Sequence, residues 1–395
     1  MRVLHVMTAF PRHEGDPIVP WLVEMLKQLR ARGVDCEVLA SSYKGMASGI
    51  FQGIPVHRFR YFPRRWENLT HEETAPDRMR KSLLYRLMPG AYVLAGMAAA
   101  WRVARRGRYD VIHVHWPMPH ALLGRAAQLA SGAPVVSTFY SVEVRWIAKS
   151  LPLLTGLLRW TIRSPAQAVA ISTSTAEEMR KLADVPIEVI PYTVALPPSP
   201  ARTRPRGAGF RILFVGRLVE RKGVHVLLRA LARLPDESRP RLVVCGDGPE
   251  REPLERLARE LGVAERVEFA GRVSDERLRA EYAEADVFVL PAIVDARGDT
   301  EGLGVVLLEA MNSRVPVVAS DAGGITDIVE HERTGLLVPP GDEAALAAAM
   351  SRLARDPALA RTLGEAGYRR LTERFTWEAI VSKWIAIYER VTLSA

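Results

Sequence analysis

Cysteine is almost absent: Cys36 and Cys245 are the two in 395 residues, and neither has a CxxC partner. Their scarcity excludes a disulfide framework and a cysteine zinc site, and it fits a reducing compartment. Long apolar runs are missing too. The longest stretch, Leu83 to Ala100, is broken by Arg86, Pro89 and Gly90 and falls short of the roughly 20 apolar residues that a spanning helix needs. Met1 to Phe10 reads as a strand with a single arginine, not as a charged segment leading into an apolar core, so no secretory signal is expected and a cytoplasmic location is. No RRM, zinc-module or helix-turn-helix pattern is visible, which argues against a nucleic-acid partner. Lysine is scarce as well, since 47 of the 54 basic residues are arginine.

What is present is an ordinary globular composition, 48% apolar and 25% charged, on a chain long enough for two domains. Short β-branched strands alternate with helical stretches, and the alternation restarts once. Arg2-Val-Leu-His-Val-Met opens the first series and Arg211-Ile-Leu-Phe-Val-Gly the second, with a proline-rich linker at Leu196 to Gly209 between them. Asp16 and Pro17 stand at N-cap and first-turn positions of a first helix whose apolar residues, from Ile18 to Leu29, recur until Gly33. Continuous apolar strands separated by helices imply parallel sheets covered on both faces, with ligands at the strands' carboxyl ends. The expected fold class is therefore α/β, with two Rossmann-like parallel-sheet domains facing each other across a cleft. The expected bounds are 1–198 for the first domain, 199–376 for the second, and 377–395 for an amphipathic last helix that covers a sheet or returns to the first domain.

Three loops carry chemistry. Asp299-Thr-Glu-Gly-Leu-Gly-Val-Val-Leu-Leu-Glu places Glu301 in a loop, Gly302, Leu303 and Gly304 at a helix start, and Glu309 inside that helix. A glycine-rich helix start suits anions, and carboxylates suit vicinal hydroxyls; the alternative is a buried, satisfied Glu309 and a solvated Glu301. Gly216-Arg217-Leu-Val-Glu-Arg-Lys222-Gly223 follows a strand, so Arg217 and Lys222 either converge on a diphosphate or form a solvated charge cluster. Val243-Val-Cys-Gly-Asp-Gly-Pro lacks the third glycine of a dinucleotide fingerprint, so it gives no support for NAD.

With Gly323-Gly324 and Thr334-Gly335-Leu-Leu-Val-Pro in order behind these loops, the whole chain resembles the retaining, GT-B fold glycosyltransferases with a Glu-x7-Glu motif, of the group 1 or family 4 type. The resemblance implies an acceptor-side first domain and a nucleotide-sugar-binding second domain, in which Arg217 and Lys222 neutralise the donor diphosphate and Glu309 holds the ribose. Glu301 with the backbone of Gly302, Leu303 and Gly304 would hold the donor sugar, Gly216 would shape the diphosphate loop, Gly15 would approach the diphosphate, and Val273 would contact the base. The catalytic residues so implied are Arg217, Lys222 and Glu301; no metal or other cofactor is expected, and the reaction is a front-face displacement. His115 of the family's HxH segment and Tyr140 are acceptor-side candidates. Where many relatives read Thr-x-His-Gly-x-Asp, this chain reads Thr138-Phe-Tyr140-Ser141-Val-Glu143, so a tyrosine replaces the sugar-facing histidine. The alternative reading is an inactive GT-B domain that binds nucleotide or glycan. A glycogen phosphorylase would need more chain, and an epimerase of the same fold would lack the paired glutamates.

Charge is uneven. Residues 1–198 hold 25 Lys and Arg against 15 Asp and Glu, and the remainder is nearly balanced. Arg58, Arg60, Arg64 and Arg65 precede Trp66. Arg78, Arg80, Lys81 and Arg86 neighbour Leu83, Leu84 and Leu87; Arg102, Arg105, Arg106 and Arg108 follow Trp101; and Arg145-Trp146 through Trp160 and Arg163 bracket leucines. This interleaving predicts peripheral attachment to anionic lipid on the inner face of the plasma membrane, with a lipid-linked acceptor; the resemblance implies a UDP- or GDP-sugar donor and a lipid-linked or glycan acceptor. The alternative is a solvated, arginine-rich surface.

Overall fold

The computed structural model describes all residues except 17, 72–77, 79–81, 195, 198, 202, 204–208, 236–239, 297 and 395. Pro17, Arg80, Lys81, Pro198 and Pro205 of the sequence reading, with the Trp146 side chain, lie outside the described residues. The chain forms two compact units: Met1–Ile171 with Thr175–Ile190 and Trp377–Ala395, and Ser172–Ser174 with Pro191–Thr376.

The first unit is built on an eight-stranded sheet. Its strands are β1 (Arg2–Val6), β2 (Asp35–Ser41), β3 (Gly49–Phe51), β4 (Ile54–Phe59), β5 (Val111–His115), β6 (Val135–Phe139), β7 (Gln167–Ala170) and β8 (Ile187–Val189), in the order β3-β4-β2-β1-β5-β6-β7-β8. Only the β3–β4 pair is antiparallel. The helices are α1 (Pro20–Ala31), α2 (Leu83–Gly107), α3 (Pro117–Ser131), α4 (Val142–Ser150), α5 (Thr155–Arg163) and α6 (Thr173–Leu182). Chain order reverses direction across the sheet between β1 and β5, so the loops leaving those two strands diverge over a crevice, the usual ligand position in such sheets.

The first helix begins later than the sequence pattern predicts. Asp16 is not its cap: its carboxylate accepts from the Arg12 backbone N at 2.9 Å and from Arg12 Nε at 2.7 Å. That ion pair folds residues 12–16 into a turn of their own, Val19 takes a left-handed conformation at φ 44°, and Pro20 supplies the first-turn proline. Gly15 therefore stands in this exposed turn, ahead of the helix.

The C-terminal helix, Trp377–Leu393, packs in the first unit. Its apolar residues at helical spacing, Ile380, Trp384, Ile387 and Tyr388, are buried in one cluster with Leu22, Leu26 and Leu29 of α1 and Val3 of β1. Each such side chain contributes about 1.5–3 kcal/mol. Arg390 near the helix end donates to Gln167 at 3.1 Å and pairs with Glu188.

In the second unit six parallel strands, β9 (Phe210–Val215), β10 (Pro240–Cys245), β11 (Val267–Gly271), β12 (Val287–Leu290), β13 (Val317–Ser320) and β14 (Leu336–Val338), take the order β11-β10-β9-β12-β13-β14. They alternate with α7 (Val224–Ala232), α8 (Arg251–Glu260), α9 (Asp275–Glu284), α10 (Val305–Asn312), α11 (Ile325–Ile328), α12 (Glu343–Arg355) and α13 (Pro357–Arg374). β9, β10, β12 and β13 are buried along nearly their whole length, as a sheet covered on both faces requires. Here the reversal falls between β9 and β12, and the loops leaving these two strands carry the motifs.

Candidate functional site

The loop after β9 runs from Gly216 through a 3-10 turn at Glu220–Lys222 to Gly223, which caps α7. Gly223 is left-handed, and a Cβ there would stand 1.8 Å from the Pro291 carbonyl oxygen. Glycine thus lets this loop lie directly against the start of the loop that follows β12.

That second loop brings Glu301 to Lys222. The Lys222 ammonium hydrogen-bonds to Glu301 Oε2, Arg221 Nη1 lies 3.3 Å from the same oxygen, and Arg221 Nε lies 3.4 Å from Asp299. Glu301 and Lys222 are both buried. Burial pushes the Glu301 carboxyl up, but the two cations outweigh it and hold it at about 2. The solvated Glu301 of the alternative reading is therefore not what the fold contains. Arg217, one turn earlier, is exposed and makes no ion pair among the described residues, so its guanidinium is available to an incoming anion.

Glu309 lies on α10, two turns from Glu301. It is partly exposed, and Tyr282 Oη donates to its Oε2 at 2.8 Å. Burial raises its carboxyl to about 7 against the lowering by that hydrogen bond. Gly302, Leu303 and Gly304 lead into α10, with Gly304 left-handed at its N-cap. Gly323 and Gly324 brace this segment: a Cβ on Gly324 would lie 2.2 Å from the Gly302 carbonyl oxygen, and Gly324 N donates to Glu301 O at 3.0 Å. The double glycine is thus a packing requirement of the Glu301 loop. Val273 follows β11, partly exposed, just before Ser274 caps α9. Gly216, Arg217, Lys222, Glu301, Gly302, Leu303, Gly304 and Glu309 therefore come from two facing loops and one helix start.

In the first unit, His113 and His115 are fully buried. His113 is held between Tyr388 Oη and Thr138 Oγ1, each at 2.7 Å. His115 Nδ1 lies 2.7 Å from Tyr140 Oη and its Nε2 lies 3.1 Å from His5 Nδ1. Burial and the neighbouring imidazoles push both rings well below the usual histidine range, so they are neutral. His115 thus faces away from solvent and reaches the strand end through Tyr140.

Two partners went unnamed in the motifs. Arg221 sits inside the quoted loop, but its pairing with Glu301 depends on β9 and β12 being neighbours. Tyr282 has no local signal at all.

Paired parallel-sheet units of this kind define a GT-B architecture. Sucrose-phosphate synthase of Thermosynechococcus elongatus has the same fold, with a TM-score of 0.77 at 23% identity over the whole of both chains. Residues 20–196 match the model of glycosyltransferase family 4 and residues 199–370 that of the glycosyl transferases group 1. The chain is 31% identical to the GDP-mannose-dependent alpha-(1-6)-phosphatidylinositol monomannoside mannosyltransferase of Mycobacterium tuberculosis, across 87% of this chain and 92% of that one. It is 26% identical to the N-acetyl-alpha-D-glucosaminyl L-malate synthase of Bacillus anthracis, across 97% and 95%. The protein belongs to the group 1 glycosyltransferases, enzymes that depend on a nucleotide-sugar donor.

Proposed function

We propose that the enzyme moves a hexosyl group from a UDP- or GDP-sugar to a lipid-linked or glycan acceptor, retaining anomeric configuration and using no metal. The observation that carries this reading is the Lys222–Glu301 pair beside exposed Arg217, which makes no ion pair among the described residues. Two cations next to a glycine-rich helix start match a diphosphate leaving group, and Glu309, on the helix that follows, would accept from ribose hydroxyls. Glu301 and the backbone of Gly302, Leu303 and Gly304 would hold the sugar, and Val273 the base. The acceptor oxygen bonds to the anomeric carbon on the face from which the phosphate departs. The carbon–oxygen bond to phosphate breaks, and the departing phosphate oxygen takes the acceptor's proton.

A lipid-linked acceptor at the inner membrane face is supported by α2. Leu87 is 73% exposed, Leu94 70% and Trp101 39%, and their seven-residue spacing aligns them on one face. Arg86, Arg102, Arg105 and Arg106 around them are exposed. The wider basic patch contracts in the fold: Arg58 donates to the Phe10 and Pro11 carbonyls, Arg60 pairs with Glu67 at 2.5 Å, and the buried Arg145 with Glu178 at 2.7 Å. Among the described residues no helix is long and apolar enough to cross a membrane. Nothing here favours a nucleic-acid partner.

The test is incubation with UDP- and GDP-sugars, a lipid extract and EDTA, reading nucleotide release and the product's anomeric configuration. Inversion, or turnover that EDTA abolishes, would contradict the mechanism. Nucleotide binding without turnover would favour the binding-only alternative that Tyr140 raises.

A further inference from the structure

Resting on the transferase reading above, we infer that Tyr282 is a positioning residue for the donor, its hydroxyl holding the Glu309 carboxylate in the orientation that meets the nucleoside's ribose. Tyr282 lies in the last turn of α9, 27 residues before Glu309 and outside the glycine-rich loops. Its side chain is fully buried, with the ring centroid 5.7 Å from that of Phe288 on β12. A ring so enclosed is a rigid anchor.

The hydroxyl meets α10 at one point. It stands 2.8 Å from Glu309 Oε2 and 3.3 Å from the carbonyl oxygen of Val306, three residues earlier on that helix. A hydroxyl has one proton to give, and the shorter, charge-assisted bond to the carboxylate takes it. Glutamate otherwise keeps its rotamer freedom until a ligand removes it, so holding the side chain beforehand lowers the cost of binding. Among the described residues nothing else bonds to the Glu309 carboxylate, which leaves Oε1 for a ligand. Helical side chains lean toward the amino end, which for α10 is the left-handed Gly304 turn beside the proposed diphosphate position.

The charge of Glu309 depends on the same bond. Burial raises the carboxyl to about 7, the Tyr282 hydrogen bond lowers it, Asp275 at the start of α9 raises it, and Lys222 of the loop after β9 lowers it. Cys245 of β10, which faces Tyr282, is held protonated by burial, and Tyr282 is held protonated by burial and by the charge of Glu309. Removing the hydroxyl therefore lets the carboxyl rise further.

Titration calorimetry on the full chain tests it, with UDP and GDP set against inorganic pyrophosphate, which has no ribose. Tyr282→Phe should weaken nucleotide binding roughly tenfold at pH 7, leave pyrophosphate within about twofold, and carry the loss of nucleotide affinity in acid to higher pH. Taking the ratio to wild type at each pH cancels the phosphate's own titration. In a Glu309→Gln background the same substitution should cost less than about twofold. Tyr282→p-fluorophenylalanine, which fills the hydroxyl's volume without a donor, should match Tyr282→Phe and takes its place if that variant does not fold. Tyr282→p-aminophenylalanine keeps a donor and should recover most of the affinity. An unchanged nucleotide profile, a deficit that pyrophosphate shares, or an equal deficit in the Glu309→Gln background would overturn the inference and leave the transferase reading standing. No nucleotide binding by the wild type would instead bring down that reading and the inference with it.

Discussion

Glu301→Gln keeps the side chain's volume and removes its charge from beside buried Lys222 and Arg221. A carboxyl held at about 2 instead of 4.5 corresponds to about 3 kcal/mol of native-state preference for the ionised form. Stranding a buried cation costs a similar amount, about 3–5 kcal/mol. The variant's second unit should therefore unfold at a midpoint lower by roughly 6–12 °C at neutral pH. The sign with pH follows from the lowered carboxyl: the wild-type advantage is complete above 4.5, shrinks as pH falls, and is gone near 2. Calorimetry at pH 7 and pH 3 measures both. Nucleoside diphosphate should raise the variant's midpoint more than the wild type's, because the anion takes the place of the lost carboxylate. An unchanged midpoint, or a deficit independent of pH, would refute the reasoning, and a smaller nucleotide rescue in the variant would show that Lys222 does not receive the diphosphate.

The other predictions are these. Arg217→Ala should leave stability within about 0.5 kcal/mol, since the side chain is exposed and makes no ion pair among the described residues, yet weaken nucleotide binding by roughly 10- to 100-fold for the loss of a charge-assisted hydrogen bond; titration calorimetry reads it. Glu309 titrates at about 7, so nucleotide affinity should fall as pH drops from 8 to 6, and Glu309→Gln should flatten that profile. The free protein should show the opposite sign, gaining stability from this group between pH 7 and 4.5, because its carboxyl is raised in the fold. Tyr388→Phe, which removes the partner 2.7 Å from buried His113 Nδ1, should cost about 1–2 kcal/mol by thermal unfolding and leave the nucleotide-induced shift intact.

The chemistry of the second unit was largely legible because its signals are local. Glycines and charges directly after β9 and directly before α10 mark strand ends and a helix start from spacing alone. What pairs with what was not legible. Lys222 and Glu301 are 79 residues apart and meet only because the chain crosses back to lay β12 beside β9, and Tyr282 finds Glu309 through packing that no periodicity encodes. The same limit explains two errors. Asp16-Pro17 is a sound local cap signal that lost to Arg12, whose guanidinium captured the carboxylate. The arginines at 58 and 145 looked like a surface, because their carbonyl and carboxylate partners arrive from elsewhere in the chain. The apolar stripe of the last helix was readable from its spacing, but its partners on α1 and β1 were not.

The central claim, a metal-independent nucleotide-diphosphate site on the second unit, is tested most directly by thermal shift with UDP, GDP, ADP and TDP in EDTA. A nucleotide at 100 times its dissociation constant should stabilise by about 2.7 kcal/mol. The account predicts a shift with UDP or GDP that Arg217→Ala cuts to about 0.4–1.4 kcal/mol at the same concentration. No shift with any nucleotide, or one that EDTA removes, would contradict it.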